Sequence, residues 1–157
     1  MGLDMYLYAN KYISKAEWRG EEASKQFDEI VKIMQADEFV RKDLPSGSVN
    51  FQVAYWRKAN QIHGWFVRNV QDDTDDCGSY EVGRDDLQAL VDVCRKVLAN
   101  RKLAAKLLPP AEGFFFGRYE YDDSYFADVQ DTADKLAALL EALPEDSGWC
   151  FEYQSSW

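Results

Sequence analysis

Val49-Asn50-Phe51-Gln52-Val53-Ala54-Tyr55-Trp56-Arg57-Lys58-Ala59-Asn60-Gln61-Ile62-His63-Gly64-Trp65-Phe66-Val67-Arg68-Asn69-Val70 carries two hydrophobic periods in succession. Val49, Phe51, Val53 and Tyr55 alternate with their neighbours, which is the two-residue period of a strand. Tyr55, Ala59, Ile62, Phe66 and Val70 then recur at three- and four-residue spacing, which predicts a helix over 55–70. A strand running into a helix within one short stretch rules out an all-helical or an all-β chain.

The same reading extends in both directions. Leu3, Met5, Leu7 and Ala9 alternate with Asp4, Tyr6, Tyr8 and Asn10 and predict a first strand. Phe27, Ile30, Val31 and Met34 place a helix between Glu21 and Asp37, and Pro45-Ser46-Gly47-Ser48 reads as a turn. After the acidic run Asp72-Asp73-Thr74-Asp75-Asp76, a short strand is expected near Tyr80. Asp85 is placed to cap a long helix through Leu87, Leu90, Val91, Cys94 and Val97, stopped by Pro109-Pro110. Phe114-Phe115-Phe116 to Tyr121 reads as a strand buried on both faces. Asp122 or Asp123 then caps a helix burying Tyr125, Val129, Leu136, Leu140 and Leu143, and Trp149, Phe151 and Tyr153 share one face of a closing strand. The expected architecture is α+β: one domain over 1–157, with a mixed sheet of about four to five strands and about four helices packed on it.

Composition narrows the function classes. Hydrophobic residues make up 46% of 157, enough to bury a core without metals or disulfides. The net charge is −10 and unevenly placed: up to Gln71 there are 10 basic and 9 acidic residues, but from Asp72 onward 8 basic and 19 acidic. Such a chain repels nucleic acid and anionic membrane, and suits a basic partner surface. Cys77, Cys94 and Cys150 are odd in number and lack C-x-x-C spacing, the usage of a reducing cytoplasm. No apolar run approaches the ~20 residues of a membrane helix, and the amino terminus carries no signal-peptide pattern.

Few motifs survive inspection. Read as a calcium loop from Asp73, the acidic run puts Cys77 at the fifth position and Arg84 at the twelfth, where an EF-hand needs oxygen donors. The sequence holds no P-loop, Rossmann, zincin or nucleophile-elbow pattern, and no metal or cofactor is expected. His63, the single histidine, falls on the apolar face of the 55–70 helix with Trp56, near Arg57 and Asn60. It is either a buried imidazole satisfied by a core hydrogen bond or the base of a ligand pocket. Gly64 costs about 1 kcal/mol in a helix interior, so another element or a ligand approaches there. Asp122-Asp123 is a helix cap or a carboxylate pair. Trp157 either docks into the core or anchors a partner.

Taken together, the opening Gly2-Leu3-Asp4-Met5-Tyr6-Leu7, the central Tyr55-Trp56-Arg57-Lys58-Ala59-Asn60 with Ile62-His63 and Trp65-Phe66, Phe114-Phe115-Phe116-Gly117, Tyr121-Asp122 and the final Tyr153-Gln154-Ser155-Ser156-Trp157 resemble a family of small, uncharacterised bacteriophage, prophage and bacterial proteins. That resemblance implies a mobile-element setting, in which small acidic proteins block host machinery. It implies no catalytic residue.

Two expectations follow. In the first, the chain acts without catalysis, binding a basic host-protein surface, even as a nucleic-acid mimic, through Asp72, Asp73, Asp75, Asp76, Asp128, Asp131 and Asp134. In the second, Trp56, Arg57, Asn60, His63, Tyr121 and Asp122 line a pocket for a ligand bearing phosphate or carboxylate, or for an unfamiliar reaction.

Overall fold

A computed structural model describes residues 2–43 and 45–157. The elements in order are β1 (Asp4–Ser14), α1 (Gly20–Ile33), β2 (Ser46–Arg57), α2 (Asn60–Asn69), β3 (Ser79–Val82), α3 (Arg84–Ala99), α4 (Ala104–Leu107), α5 (Asp123–Ala142) and β4 (Cys150–Ser156). The four strands form one antiparallel sheet in the order β2-β1-β4-β3, and the class is α+β. β3 and β4 pair with Ser79 opposite Gln154 and Val82 opposite Phe151. Among the described residues no helix is long and apolar enough to cross a membrane.

Residue contacts divide the chain into two compact units, Met1–Ala9 with Gln52–Trp157, and Asn10–Phe51. In the larger unit, Met5, Leu7 and Ala9 of β1, Ala54 and Trp56 of β2, Val82 of β3, and Phe151 and Tyr153 of β4 are buried. The alternate β1 positions Tyr6 and Tyr8 are half-buried, and Tyr6 packs beside Tyr55 with ring centroids 5.5 Å apart. Helices complete the core: Ile62 and Phe66 of α2, Leu87 to Val97 of α3, and Val129 to Leu140 of α5. Phe66 stacks on Tyr153 at 4.0 Å with rings nearly parallel, a contact stabilising beyond its buried area. α3 and α5 pack on each other, and Arg84 at the start of α3 donates to the carbonyls of Leu140 and Leu143, satisfying two orphan acceptors at the end of α5.

The smaller unit carries α1 and the outer parts of β1 and β2. Phe27 is its buried anchor, and Lys15 pairs with Asp28 at 2.8 Å. Trp18, Ile33, Met34 and Phe39 stay largely exposed.

Five expectations are corrected. Ser46 to Ser48 belong to β2, since the Lys15 N–H donates to Pro45 O and pairing begins there. The inward face of β2 in the larger unit is Ala54 and Trp56, while Phe51 and Tyr55 are exposed. Tyr55, Trp56 and Arg57 end β2 and are not helical; α2 begins at Asn60. Residues 114–121 form no strand: only Phe116 is buried, its ring folded over Gly113, where a Cβ would sit 2.5 Å from it. Of the two aspartates expected to cap α5, Asp122 does so, its side chain accepting from the Tyr125 N–H at 3.0 Å. At the start of α3, by contrast, Asp86 and not Asp85 reaches back, to the Gly83 N–H at 3.0 Å.

Candidate functional site

The segment from Trp56 to Gly64 is where strand turns into helix, and nearly every polar group in it is committed to another element. Trp56, the last inward residue of β2, donates its indole N–H to Thr132 Oγ1 of α5 at 2.9 Å. Lys58 then turns the chain with φ of 60°, its N–H donating to Leu3 O at 2.8 Å. A positive φ at a non-glycine residue costs roughly 1–3 kcal/mol and persists only where the surroundings over-determine it. Gly117 supplies part of that: it sits at φ +100°, and a Cβ there would meet Lys58 Cβ at 3.0 Å and Lys58 O at 3.2 Å.

Asn60 opens α2 fully buried and holds the 111–118 loop. Its Nδ2 donates to Phe116 O at 3.1 Å and Arg118 O at 2.7 Å, and its Oδ1 accepts from the Ala111 N–H at 3.2 Å. Gln61 reaches the first turn of α5, donating to Tyr125 O at 3.4 Å, and its amide lies near enough to the Asp128 carboxyl to favour the ionised form. Gly64 faces Ala111, to which a Cβ would come within 3.0 Å; close packing of this loop is what offsets the helical glycine.

His63 is completely buried. Its Nδ1 lies 2.8 Å from Tyr153 Oη and its Nε2 3.0 Å from Asp75 Oδ2. A carboxylate only accepts, so a neutral imidazole with both contacts satisfied carries its proton on Nε2, and the Tyr153 hydroxyl donates to Nδ1. The other Asp75 oxygen accepts from the Trp157 indole N–H at 3.0 Å. One carboxylate thus ties the acidic loop to α2 and to the last residue of the chain. Burial drives the Tyr153 phenol well above its ordinary range, so it acts here as a neutral donor.

On the surface over this segment lies a polar cleft of about 330 Å³, lined by Arg57, Lys58, Gln61, Arg118, Glu120, Asp122 and Asp128 together with the start of α5. Cations and carboxylates share its lining. Arg57 is paired with Asp4 at 3.3 Å, and its guanidinium is held above its ordinary pKa by the Tyr55 hydrogen bond and the Asp4 charge. Arg118 meets Asp122 at 3.4 Å while remaining mostly exposed. The Tyr125 N–H and then Arg118 pull the Asp122 carboxyl below its usual range. Asp128 is pushed the other way: burial raises its carboxyl, Asp131 and Asp122 add to the effect, and Gln61 and Lys135 only partly oppose it.

Of the six residues expected to share a pocket, only Arg57 and Asp122 line this cleft. Trp56, Asn60 and His63 are buried and do not line it, though Asn60 holds the loop that carries Arg118. Tyr121 is exposed beside it, with its ring 5.1 Å from that of Tyr125 in an edge contact. The seven expected surface carboxylates do not act alike either. Asp72 and Asp73 are exposed on a left-handed turn with φ of 48° and 58°. Asp75 is bound to His63 and Trp157, and Asp76 accepts from the Gly78 N–H and the Tyr80 hydroxyl. Asp131 pairs with Lys135 at 2.6 Å and Asp134 accepts from Gln130, while Asp128 belongs to the cleft.

Lys58, Gln61 and Arg118 were not singled out by the sequence reading. Gln61 and Lys58 had a signal in being polar within an apolar stretch; Arg118 had none. Among the described residues no group of three or more His, Cys, Asp or Glu is arranged to hold a metal ion. Cys94 is buried, its thiol pushed up to about 12, and so is inert. The chain matches no protein-family model, no curated protein and no solved structure.

Proposed function

We propose that this protein binds a small ligand bearing a phosphate or carboxylate in the cleft between the end of β2, the 117–118 turn and the start of α5. The observation that carries this reading is the convergence of Arg57, Lys58 and Arg118 on one concavity. Arginine is suited to such groups because its planar fork matches their oxygens, and the first turn of α5 adds its partial positive charge. The strained Lys58 and the buried Asn60 fix the two walls, so the site is formed before a ligand arrives, which limits the ordering cost of binding. The three unpaired cysteines suit a reducing cytoplasm.

Titration of the isotopically labelled protein with inorganic phosphate, followed by nuclear magnetic resonance, tests the reading. Shifts are expected at Lys58, Gly117, Arg118 and Ser124, and their loss in Arg118→Ala. Shifts confined to other surfaces refute it.

The acid excess after Gln71 favours a second reading, capture of a basic host protein of the kind a phage accessory protein blocks. Exposed Asp72 and Asp73 would contribute most. That reading requires a complex that dissociates as salt rises and that Asp72→Asn with Asp73→Asn weakens.

A further inference from the structure

Three cations, Arg57, Lys58 and Arg118, and three carboxylates, Glu120, Asp122 and Asp128, line the cleft. The exposed cations Arg57 and Arg118 each have one contact, at 3.3 and 3.4 Å, with a carboxylate. Exposed pairs of this kind contribute little, so both guanidiniums are free to turn to a better partner. Asp128 is half-buried. A carboxylate offers about four lone-pair positions, and the Gln61 amide stands beside this one. Asp122 already caps α5, accepting from the Tyr125 N–H.

A bare anion entering here gains Arg57, Lys58 and Arg118 but also meets the Glu120, Asp122 and Asp128 carboxylates. A bare cation gains those carboxylates but meets the three cations. Each alone therefore binds more weakly than a molecule that carries both charges. We infer, building on the cleft reading above, that the ligand is a small zwitterion, its phosphate or carboxylate held by Arg57, Lys58 and Arg118 and its ammonium group by Asp128. The ammonium neutralises the one carboxylate whose ionisation the fold opposes, so its desolvation is compensated by a charge-assisted hydrogen bond. The same arrangement discriminates against each half of the molecule by repulsion.

The test compares O-phosphoethanolamine and β-alanine with inorganic phosphate and ethylammonium, each titrated into the full chain at pH 7 and low salt and followed by nuclear magnetic resonance. At least one zwitterion is expected to bind ten or more times more tightly than phosphate or ethylammonium, with shifts at Lys58, Arg118, Ser124 and Asp128. Asp128→Asn, whose fold is checked by its own amide spectrum, is expected to erase that advantage and to raise phosphate affinity. Phosphate binding as tightly as both zwitterions overturns the zwitterion and leaves the cleft reading standing. An unchanged preference in Asp128→Asn also overturns it. Absence of binding by all four probes overturns both readings. Sedimentation with phosphatidylethanolamine vesicles separates the two sources of this chemistry: a protein that sediments with vesicles yet ignores O-phosphoethanolamine refutes a free ligand.

Discussion

Replacing Asn60 isolates the link between the core and the cleft. Its side chain makes three hydrogen bonds to the backbone of the 111–118 loop while itself only 1% exposed. At a net contribution of about 1 kcal/mol each, Asn60→Ala is expected to cost about 3 kcal/mol. With a urea slope of roughly 2 kcal/mol/M, the midpoint drops by about 1.5 M. Asn60→Asp gives a sharper comparison, being nearly isosteric. It keeps the acceptor for the Ala111 N–H but turns a carboxylate oxygen toward the carbonyls of Phe116 and Arg118. A buried charge facing two acceptors costs several kcal/mol, so Asn60→Asp at pH 7 is expected to be less stable than Asn60→Ala. Urea unfolding of all three proteins, followed by tryptophan fluorescence, measures both differences. A loss below about 0.5 kcal/mol for Asn60→Ala, small against its three bonds, refutes the role given to this residue. So does an Asp variant more stable than the Ala variant.

The remaining expectations concern its neighbours. Gly117→Ala forces a side chain onto φ +100° and against the Lys58 carbonyl; about 2–3 kcal/mol should be lost, read as a lower midpoint in thermal unfolding. Asp75→Asn replaces one of two accepting oxygens by a donor facing His63 or Trp157. A loss of about 1–3 kcal/mol and a shifted Trp157 indole N–H resonance are expected. The carboxyl of Asp128 is raised in the fold, so the folded protein holds this proton longer than the unfolded chain. Its contribution to stability is therefore full below the unfolded value of about 3.9 and is lost as pH rises through the folded value. Asp128→Asn removes that slope, and the variant should equal or exceed the parent in stability at pH 7, measured by urea unfolding across pH 3 to 7.

Periodicity made the local elements legible. β1, α3, α5 and β4 follow hydrophobic repeats that one face of each element buries; α1 buries only Phe27 of its repeat, and the Asp122 cap follows from chemistry spanning three residues. The reading failed where two periods overlap. Tyr55, Ala59 and Ile62 match helical spacing by coincidence, and the helix was carried back into the strand. What ends β2 is the left-handed Lys58, fixed by Leu3 and Gly117, and such long-range contacts leave no trace in local spacing. The phenylalanine run misled for a related reason. Three aromatics in a row suggest burial on both faces, yet Gly113 and Gly117 let the chain fold back so that Phe116 alone enters the core.

The candidate site was legible only in part. Arg57 and Asp122 were found because they flank conspicuous motifs, and His63 and Asn60 because polar residues on an apolar face require partners. Their partners, Tyr153, Asp75 and the backbone of residues 111–118, lie up to 90 residues away. The aromatic-rich central segment reads as a pocket wall from sequence, whereas its buried polar groups serve as internal ties. The cleft itself combines residues 57–61 with 117–128, a juxtaposition set by tertiary packing alone.

The most direct test of the cleft is crystallographic: crystals of the protein soaked in phosphate. The account requires an ordered phosphate between Lys58 and Arg118 at the start of α5, within hydrogen-bonding distance of at least one of them. Phosphate ordered only elsewhere on the surface, or a cleft closed by Arg118 folded onto Asp122 in the soaked crystal, contradicts it.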